Sequence, residues 1–218
     1  MMNKKYLSIG LVAVLLSSIL AWAFLSPSKV VQQYKVLTPL KQLKSEQIEQ
    51  VVTPYIGQQF WRLNLEKIHA ELVRLDWVYK AEVTRKWPSK IIIRIEEQNP
   101  VVRWGDAGLL NQQGEIFYPS SIVGFEAFVK LKGEAEFAKD LLQKLAIFQK
   151  SFDKLNWIIK EIEQQADGGW LLSFVTGKQV IIGKEDWQDK LDLFIKAYPK
   201  VKSSLRTQAQ RYDLRYSN

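Results

Sequence analysis

Cysteine is absent from the 218-residue sequence, and histidine occurs once, as His69. Without cysteine the chain can form no disulfide, thiolate metal site or cysteine nucleophile. An imidazole base would have to be His69, which lies in a predicted helix with only Glu66 at a useful spacing for a shared metal ion. No Gly-x-Ser-x-Gly motif surrounds any serine. These absences predict no nucleophilic catalytic site and no metal site.

Glycine-rich phosphate loops are likewise missing, because Gly168-Gly169 has the form of a hairpin turn. Paired carboxylates could still serve glycoside hydrolysis. Glu96 and Glu97 are adjacent on a predicted strand, so their side chains should point to opposite faces. Asp186 and Asp189 share a helix face with Lys190, which is typical of a solvated surface. A cell-wall hydrolase therefore stays an alternative with weak support.

The net charge of +8 is distributed along the chain, and 47% of the residues are hydrophobic. We find no Arg/Lys cluster with interleaved aromatic residues and no nucleic-acid-binding motif. The composition therefore predicts a folded, mildly basic protein that does not bind nucleic acid.

One long uncharged run, Leu7–Leu25, contains 19 residues. As a helix it would cover roughly 28 Å, close to the hydrocarbon thickness of a bilayer. Lys4 and Lys5 precede it, which predicts a cytoplasmic tail over residues 1–6. A cleaved signal peptide is the alternative, since Ala21-Trp22-Ala23 has the small-x-small form of a cleavage site. Phe24 and Leu25 prolong the apolar run past that site, which favours a membrane anchor.

The region from Val30 to about Asn99 carries the pattern β-α-α-β-β. A short strand is predicted over residues 34–37. Ser45 and Asn64 are predicted N-caps of two amphipathic helices. Apolar residues then alternate with polar ones in two strands joined by Trp87-Pro88-Ser89: Tyr79, Ala81 and Val83, then Ile91, Ile93 and Ile95. Two helices on one face of a three-stranded sheet is the economical packing.

Residues 75–104 resemble the core of the POTRA domain and, more narrowly, the bacterial division family FtsQ/DivIB. The residues that carry the resemblance are Trp77-Val78, Val83, Trp87-Pro88, Ile91, Ile93, Glu96, Pro100 and Arg103-Trp104. The resemblance implies an α+β protein with a tail over 1–6, a transmembrane helix over 7–25, a POTRA domain over 30–99 and an FtsQ-type β domain over 100–218.

The region from Pro100 onward is predicted to be rich in strands and to contain two helices. Asn111 and Gly114 indicate one hairpin turn, and Thr176-Gly177-Lys178 another. The predicted strands are 101–104, 109–111, 115–117, 125–131, 157–163, 170–175, 179–182 and 211–216, and the predicted helices are 137–152 and 185–198. Similarity to the family's second domain is carried by the Asn-x-x-Gly turn before Ile116-Phe117, Ala197-Tyr198-Pro199 and residues 212–216.

The predicted terminal strand over 211–216 is the best candidate for a functional surface. A terminal strand commonly lies at a sheet edge, where unpaired backbone groups can accept a partner strand. The resemblance implies that the partner FtsB docks here, at Leu214, Arg215 and Tyr216. Family members usually continue this strand past a glycine, whereas the present sequence stops at Asn218.

The sequence thus predicts a non-enzymatic division scaffold anchored in the inner membrane, with its bulk in the periplasm. The resemblance implies that it joins an FtsB–FtsL pair to the septal cell-wall machinery and contacts other division proteins through the POTRA domain. It also implies no catalytic residue and no cofactor. The alternative is a secreted or outer-membrane-system POTRA protein that binds polypeptides after loss of a signal peptide.

Overall fold

The computed structural model describes residues 14–18 and 30–216. Residues 14–18 are helical, and the rest of the predicted anchor Leu7–Leu25 lies outside the described residues. Within the two described ranges, no helix is both long enough and apolar enough to cross a bilayer. The chain divides into two compact units, one up to Glu97 and the other from Gln98 onward.

The first unit has the predicted order β-α-α-β-β. Its sheet has the order β1-β3-β2, with β1 parallel and β2 antiparallel to the central β3. A 3-10 turn over Thr53–Tyr55 follows the first helix. The elements are β1 Gln33–Val36, α1 Ser45–Val52, α2 Leu65–Leu72, β2 Val78–Lys86 and β3 Lys90–Glu97.

Alternation along β3 and the apolar stripes of both helices build the core of this unit. Ile91, Ile93 and Ile95 are at most 2% exposed, as the predicted register requires. Ile92, on the other face, is also buried, whereas Lys90, Arg94 and Glu96 of that face are exposed. Asn64 caps α2 as predicted, and its side chain accepts a hydrogen bond from the Lys67 N–H. The other cap differs, because Lys44 rather than Ser45 is the N-cap residue of α1.

The carboxylate of Glu97, the last residue of β3, binds the segment that leads into α1. It accepts hydrogen bonds from the backbone N–H groups of Lys41, Gln42 and Leu43, at 2.8, 3.1 and 2.7 Å. Buried or half-buried backbone donors need such a partner. Glu97 therefore has a structural role here.

The second unit is built on one eight-stranded mixed sheet with the order β11-β10-β9-β8-β7-β4-β5-β6. The pairs β4–β7, β7–β8 and β10–β11 are parallel, and the others are antiparallel. Its strands are β4 Pro100–Trp104, β5 Gly108–Asn111, β6 Ile116–Phe117, β7 Lys130–Lys132, β8 Ile159–Gln164, β9 Trp170–Phe174, β10 Gln179–Ile182 and β11 Arg211–Asp213. Its helices are α3 Ala138–Phe152, α4 Trp187–Ala197 and α5 Ser203–Gln208.

The core of the second unit forms where α3 and α4 pack their apolar faces on the sheet. Leu141 and Phe148 from α3 and Leu191 and Ile195 from α4 join buried residues of the central strands. Both predicted hairpins form. Gly177 turns β9 into β10 with φ at 82°, and Gly114 turns β5 toward β6 with φ at 81°, a conformation that favours glycine.

Two sequence predictions for this unit were wrong in detail, and one helix was missed. The strand expected over Phe125–Leu131 is reduced to Lys130–Lys132, because Phe125 and Phe128 lie in turns closed by hydrogen bonds to Ile122 and Phe125 carbonyls. The short helix α5 was not predicted. The terminal strand ends at Asp213 rather than Tyr216.

Candidate partner-binding edge

Strand β11 lies at one edge of the eight-stranded sheet. It pairs in parallel with β10, with Arg211, Tyr212 and Asp213 opposite Gln179, Val180 and Ile181. The ladder continues past both ends, since the Gln179 N–H donates to the Gln210 carbonyl at 2.7 Å and the Leu214 N–H donates to the Ile181 carbonyl at 2.8 Å. The backbone groups of residues 210, 212 and 214 therefore face β10.

The backbone groups of Arg211 and Asp213 point away from the sheet, because alternate residues of a strand direct their N–H and C=O groups to opposite sides. Within residues 30–216 no further strand pairs with this side of β11. An outer edge with free donors and acceptors is where a partner strand can add. The structure thus places a short potential docking edge at this end of the chain.

Aromatic packing holds β11 against the sheet from inside. The half-buried ring of Tyr212 lies 5.3 Å from Phe194, 5.7 Å from Tyr198 and 5.9 Å from Trp157, measured between ring centroids. Burial, assisted by Tyr198, raises the pKa of the Tyr212 hydroxyl to about 12. The side chain of Leu214 is also half-buried against this core. These contacts compensate for the shortness of the strand.

The ammonium group of Lys178 links the β9–β10 hairpin to helix α5. It donates to the carbonyls of Arg206 and Ala209, each at 2.7 Å, and lies 5.7 Å from the centre of the Tyr212 ring. The terminal carbonyls of a helix need such donors, and a cation there also complements the helix dipole. Lys178 therefore fixes the segment that leads into β11, a role the sequence did not reveal.

Asp213 and Arg215 end the strand together. One Asp213 carboxylate oxygen accepts the Arg215 backbone N–H at 3.0 Å, and the guanidinium donates to the same carboxylate at 2.7 to 3.2 Å. The Arg215 side chain lowers the pKa of Asp213. An Asp that bonds to the backbone two residues later favours a turn over a strand. This local bond explains why the strand stops at Asp213.

The three residues predicted to bind a partner have different environments. The Leu214 side chain packs inward against the core. The Arg215 guanidinium is hydrogen-bonded to the Asp213 carboxylate, and the Arg215 carbonyl accepts a hydrogen bond from Lys190 at 3.0 Å. Tyr216 is 71% exposed, with the Arg215 guanidinium 5.5 Å from its ring centre. Of the three, Tyr216 is the side chain most available to a partner.

Models of known protein families match both units of the chain. A family model described as the C-terminal region of the cell division protein FtsQ/DivIB matches residues 102–215, which is more than half of the chain. A second, the FtsQ-type POTRA domain, matches residues 31–98. This chain belongs to the FtsQ/DivIB family. The candidate edge strand β11 lies inside the matched C-terminal region.

Individual FtsQ proteins are similar along most of the chain. The cell division protein FtsQ of Coxiella burnetii is 26% identical over 187 residues, covering 86% of this chain and 77% of the relative. The FtsQ of Xanthomonas campestris is 27% identical, covering 84% of this chain and 66% of the relative. The FtsQ of Nitrosospira multiformis is 28% identical, covering 81% and 74%.

Glu161 of strand β8 is engaged with two lysines. Partial burial works to raise the pKa of Glu161, but hydrogen bonds from Lys132 and Lys130 outweigh it, so the pKa is lowered. A glycosidase acid needs a raised pKa. Glu161 and Asp213, the described carboxyl groups with displaced pKa values, both show the opposite direction.

The second unit also has a half-open cleft of about 730 Å³ beside Trp170 and Trp187. Of its carboxylates, Asp140 pairs with Lys144 at 3.3 Å, and Asp167 accepts the Gly169 N–H at 2.9 Å. In the first unit His69 is exposed on α2. No group of His, Asp and Glu within residues 14–18 and 30–216 is arranged to hold a metal ion.

Proposed function

We propose that this chain is a non-enzymatic scaffold of the division machinery that binds an FtsB–FtsL pair and links it to the septal cell-wall machinery. The observation that carries the proposal is the edge strand β11, whose Arg211 and Asp213 backbone groups point outward within the family-matched region. The POTRA unit contributes contacts with other division proteins. No nucleic acid takes part.

Strand addition accounts for how such an edge would bind. The partner's backbone pairs with Arg211 and Asp213, which gives affinity, and side chains next to the edge give specificity. Tyr216 supplies a rigid, exposed aromatic contact, and aromatic residues commonly dominate interface energies. Arg215 contributes a cation already oriented by Asp213, and Leu214 keeps the edge attached to the core.

Topology is the second part of the proposal. Residues 1–6 lie in the cytoplasm, Leu7–Leu25 crosses the inner membrane once, and the two folded units lie in the periplasm. A reporter that is active only in the periplasm, fused after Asn218, should be active and should stay with membranes after a high-salt wash. Release of the fusion into the soluble fraction would contradict the anchor and favour a cleaved signal peptide.

The docking edge can be tested through its backbone alone. Arg211→Pro removes the outward N–H of Arg211, which takes no part in the pairing with β10. Arg211→Ala is the matched control, since it removes the exposed side chain and keeps the N–H. We expect the proline variant to bind an FtsB peptide about tenfold more weakly or worse, and the alanine variant to bind nearly as well as the parent chain.

The measurement is a titration of the full chain in nanodiscs, with thermal melting of each variant. Equal affinity for the proline and alanine variants would eliminate β11 as the docking edge. Melting lost in the proline variant would instead mean that the edge is internal to the fold.

A further inference from the structure

Two exposed tryptophans lie at one end of the first unit. Trp61 is 67% exposed and Trp87 is 66% exposed. Single exposed apolar residues are ordinary, but two tryptophans on one end form a surface that calls for an explanation. We call this surface, made by residues 56–62 and 85–90 with Val30, the tryptophan end.

Three chain segments meet there. The Val31 N–H donates to the Gln58 carbonyl at 2.9 Å, and the Gln32 N–H donates to the Ser89 carbonyl at 2.9 Å. The Arg85 side chain donates to the carbonyls of Phe60 and Leu63, which ties the Trp61 loop to the end of β2. The segment that enters β1 therefore lies between the loop carrying Trp61 and the turn carrying Trp87.

The charge of this end is of one sign. Residues 56–62 and 85–90 contain four cations, Arg62, Arg85, Lys86 and Lys90, and no Asp or Glu. All four are exposed, and the Arg85 guanidinium is engaged by the Phe60 and Leu63 carbonyls, which leaves Arg62, Lys86 and Lys90 as the candidates for lipid contact. Tryptophan beside lysine and arginine is the combination found at membrane interfaces, where indole rings sit among the headgroups and cations attract anionic lipid.

The tether to the proposed anchor is short. Only residues 26–29 separate Leu25 from Val30, so Val30 can lie at most about 18 Å from the end of the anchor along an extended chain. A tether of this length keeps the tryptophan end at a high effective concentration next to the bilayer, so a weak intrinsic affinity suffices.

We propose that the tryptophan end rests on the periplasmic surface of the inner membrane, with Trp61 and Trp87 among the lipid headgroups and Arg62, Lys86 and Lys90 on anionic lipid phosphates. This inference rests on the membrane anchor of the proposed function. Contact with the bilayer restricts the orientation of the POTRA unit.

The absence of native cysteine makes a site-specific test direct. The full chain is placed in nanodiscs of phosphatidylethanolamine and phosphatidylglycerol, with a single spin-labelled cysteine at Gln59→Cys, beside Trp61. The control label is at Gln42→Cys, next to Glu97 at the other end of β3, about 23 Å from its start. Collision rates are measured with a lipid-attached nickel chelate and with a water-soluble chromium complex.

The Gln59 label should collide with the lipid-attached reagent severalfold more often than the Gln42 label does. Trp61→Ala with Trp87→Ala should lower the Gln59 value to that of Gln42 while melting is retained. Lys86→Gln with Lys90→Gln should lower it less, with a loss that disappears in nanodiscs of phosphatidylcholine alone.

The outcomes separate this inference from the proposed function. Chains that stay in the nanodisc after a high-salt wash, yet give equal lipid collisions for both labels, overturn membrane contact and leave the anchor standing. An unchanged Gln59 value in the double alanine variant also overturns it, because the two tryptophans then do not hold this end at the bilayer. Chains that the wash releases overturn both ideas, whereas titration with the FtsB peptide tests the β11 edge independently.

Discussion

In the first unit the fully buried positions of the sheet and helices are mostly aliphatic, and two of its tryptophans are exposed. In the second unit the core contains many aromatic rings, although Tyr118 and Tyr216 are exposed. The aliphatic set is Ile48, Val52, Ile68, Leu72, Ile91, Ile93 and Ile95, and the aromatic set is Phe148, Phe152, Trp157, Trp170 and Phe174 with Tyr198. Both units thus bury a hydrophobic core, which is mainly aliphatic in the first unit and rich in aromatic rings in the second.

The comparison shows aromatic residues in two roles, as core residues that stabilise the fold and as surface residues that can contact a partner. Rings in contact inside a core add about 0.5 to 1.5 kcal/mol per pair beyond their buried area, so the cluster around Trp157 stabilises a three-residue strand that could not hold alone. Rings exposed to solvent add less to folding and can contact a binding partner. Mutations of buried rings such as Trp157 should therefore affect stability, and mutations of exposed rings such as Trp61 and Tyr216 should affect binding.

Trp157→Ala should have the largest effect on stability. The Trp157 ring is 5% exposed and lies 4.9 Å from both Phe174 and Tyr198, so its loss leaves a large cavity and should cost about 3 to 5 kcal/mol. Urea denaturation measures the change, and hydrogen exchange should be faster at the Tyr212 and Leu214 amides, which face β10. The control is Trp87→Ala, expected to cost about 1 kcal/mol or less. An equal loss in the free energy of unfolding for the two variants would contradict the difference between buried and exposed tryptophans.

Ile93→Ala tests the aliphatic core of the first unit. Ile93 is fully buried between Val36 and Val83 on neighbouring strands, and we expect a loss of about 2 to 5 kcal/mol. The control on the same strand is Arg94→Ala, whose side chain makes an exposed ion pair with Glu82 and should matter far less. A small change for Ile93→Ala would indicate a register shifted by one residue.

Two tyrosine substitutions in the terminal segment should have different effects. Tyr216→Ala should change binding, and Tyr212→Ala should change stability. Tyr216 is exposed, so its loss should weaken binding of the FtsB peptide by about 2 kcal/mol, or about 30-fold, with unchanged melting. Tyr212 packs in the aromatic cluster, so its loss should lower the melting temperature. Calorimetric titration and melting of both variants give the answer. A melting loss for Tyr216→Ala would place that ring in the core.

The smallest predicted effect is a pH dependence at Tyr212. Because burial raises its pKa to about 12 from an ordinary value of 10, the neutral hydroxyl stabilises the fold fully below pH 10, and this contribution is lost as the pH rises through 12. Tyr212→Phe has no such group. The stability difference between parent and Tyr212→Phe should therefore shift in favour of the phenylalanine variant between pH 10 and 12, and a constant difference would contradict the raised pKa.

Local patterns predicted the local parts of this fold. Alternation along Ile91, Ile93 and Ile95 correctly assigned the inward face of β3, and Asn64 correctly marked the start of α2. The 125–131 segment misled because its apolar residues also fit turns, and Phe125 packs edge-on against Phe128 at 5.2 Å.

The candidate edge was predicted only in part. The sequence and the family resemblance predicted its position near the terminus. They did not predict three contacts that fix the position and length of β11, because these contacts join residues distant in sequence or involve side-chain bonds to the backbone. These are the parallel pairing with β10, the Lys178 bonds to α5, and the Asp213 carboxylate that ends the strand. Period-two alternation predicted an extended segment through Tyr216, since it carries no information about side-chain bonds to the backbone.

The parallel pairing of β11 with β10 has a consequence for the order of folding. Residues 183–210 separate the two strands and must form a long connection before the pair can close. Until that pairing forms, β10 is itself the open border of the sheet. That temporary border carries Val180, Ile181 and Ile182, so a partly folded chain offers a more apolar edge strand than the completed fold does. A partner or chaperone that meets the chain before β11 has paired encounters a surface that the completed fold then conceals.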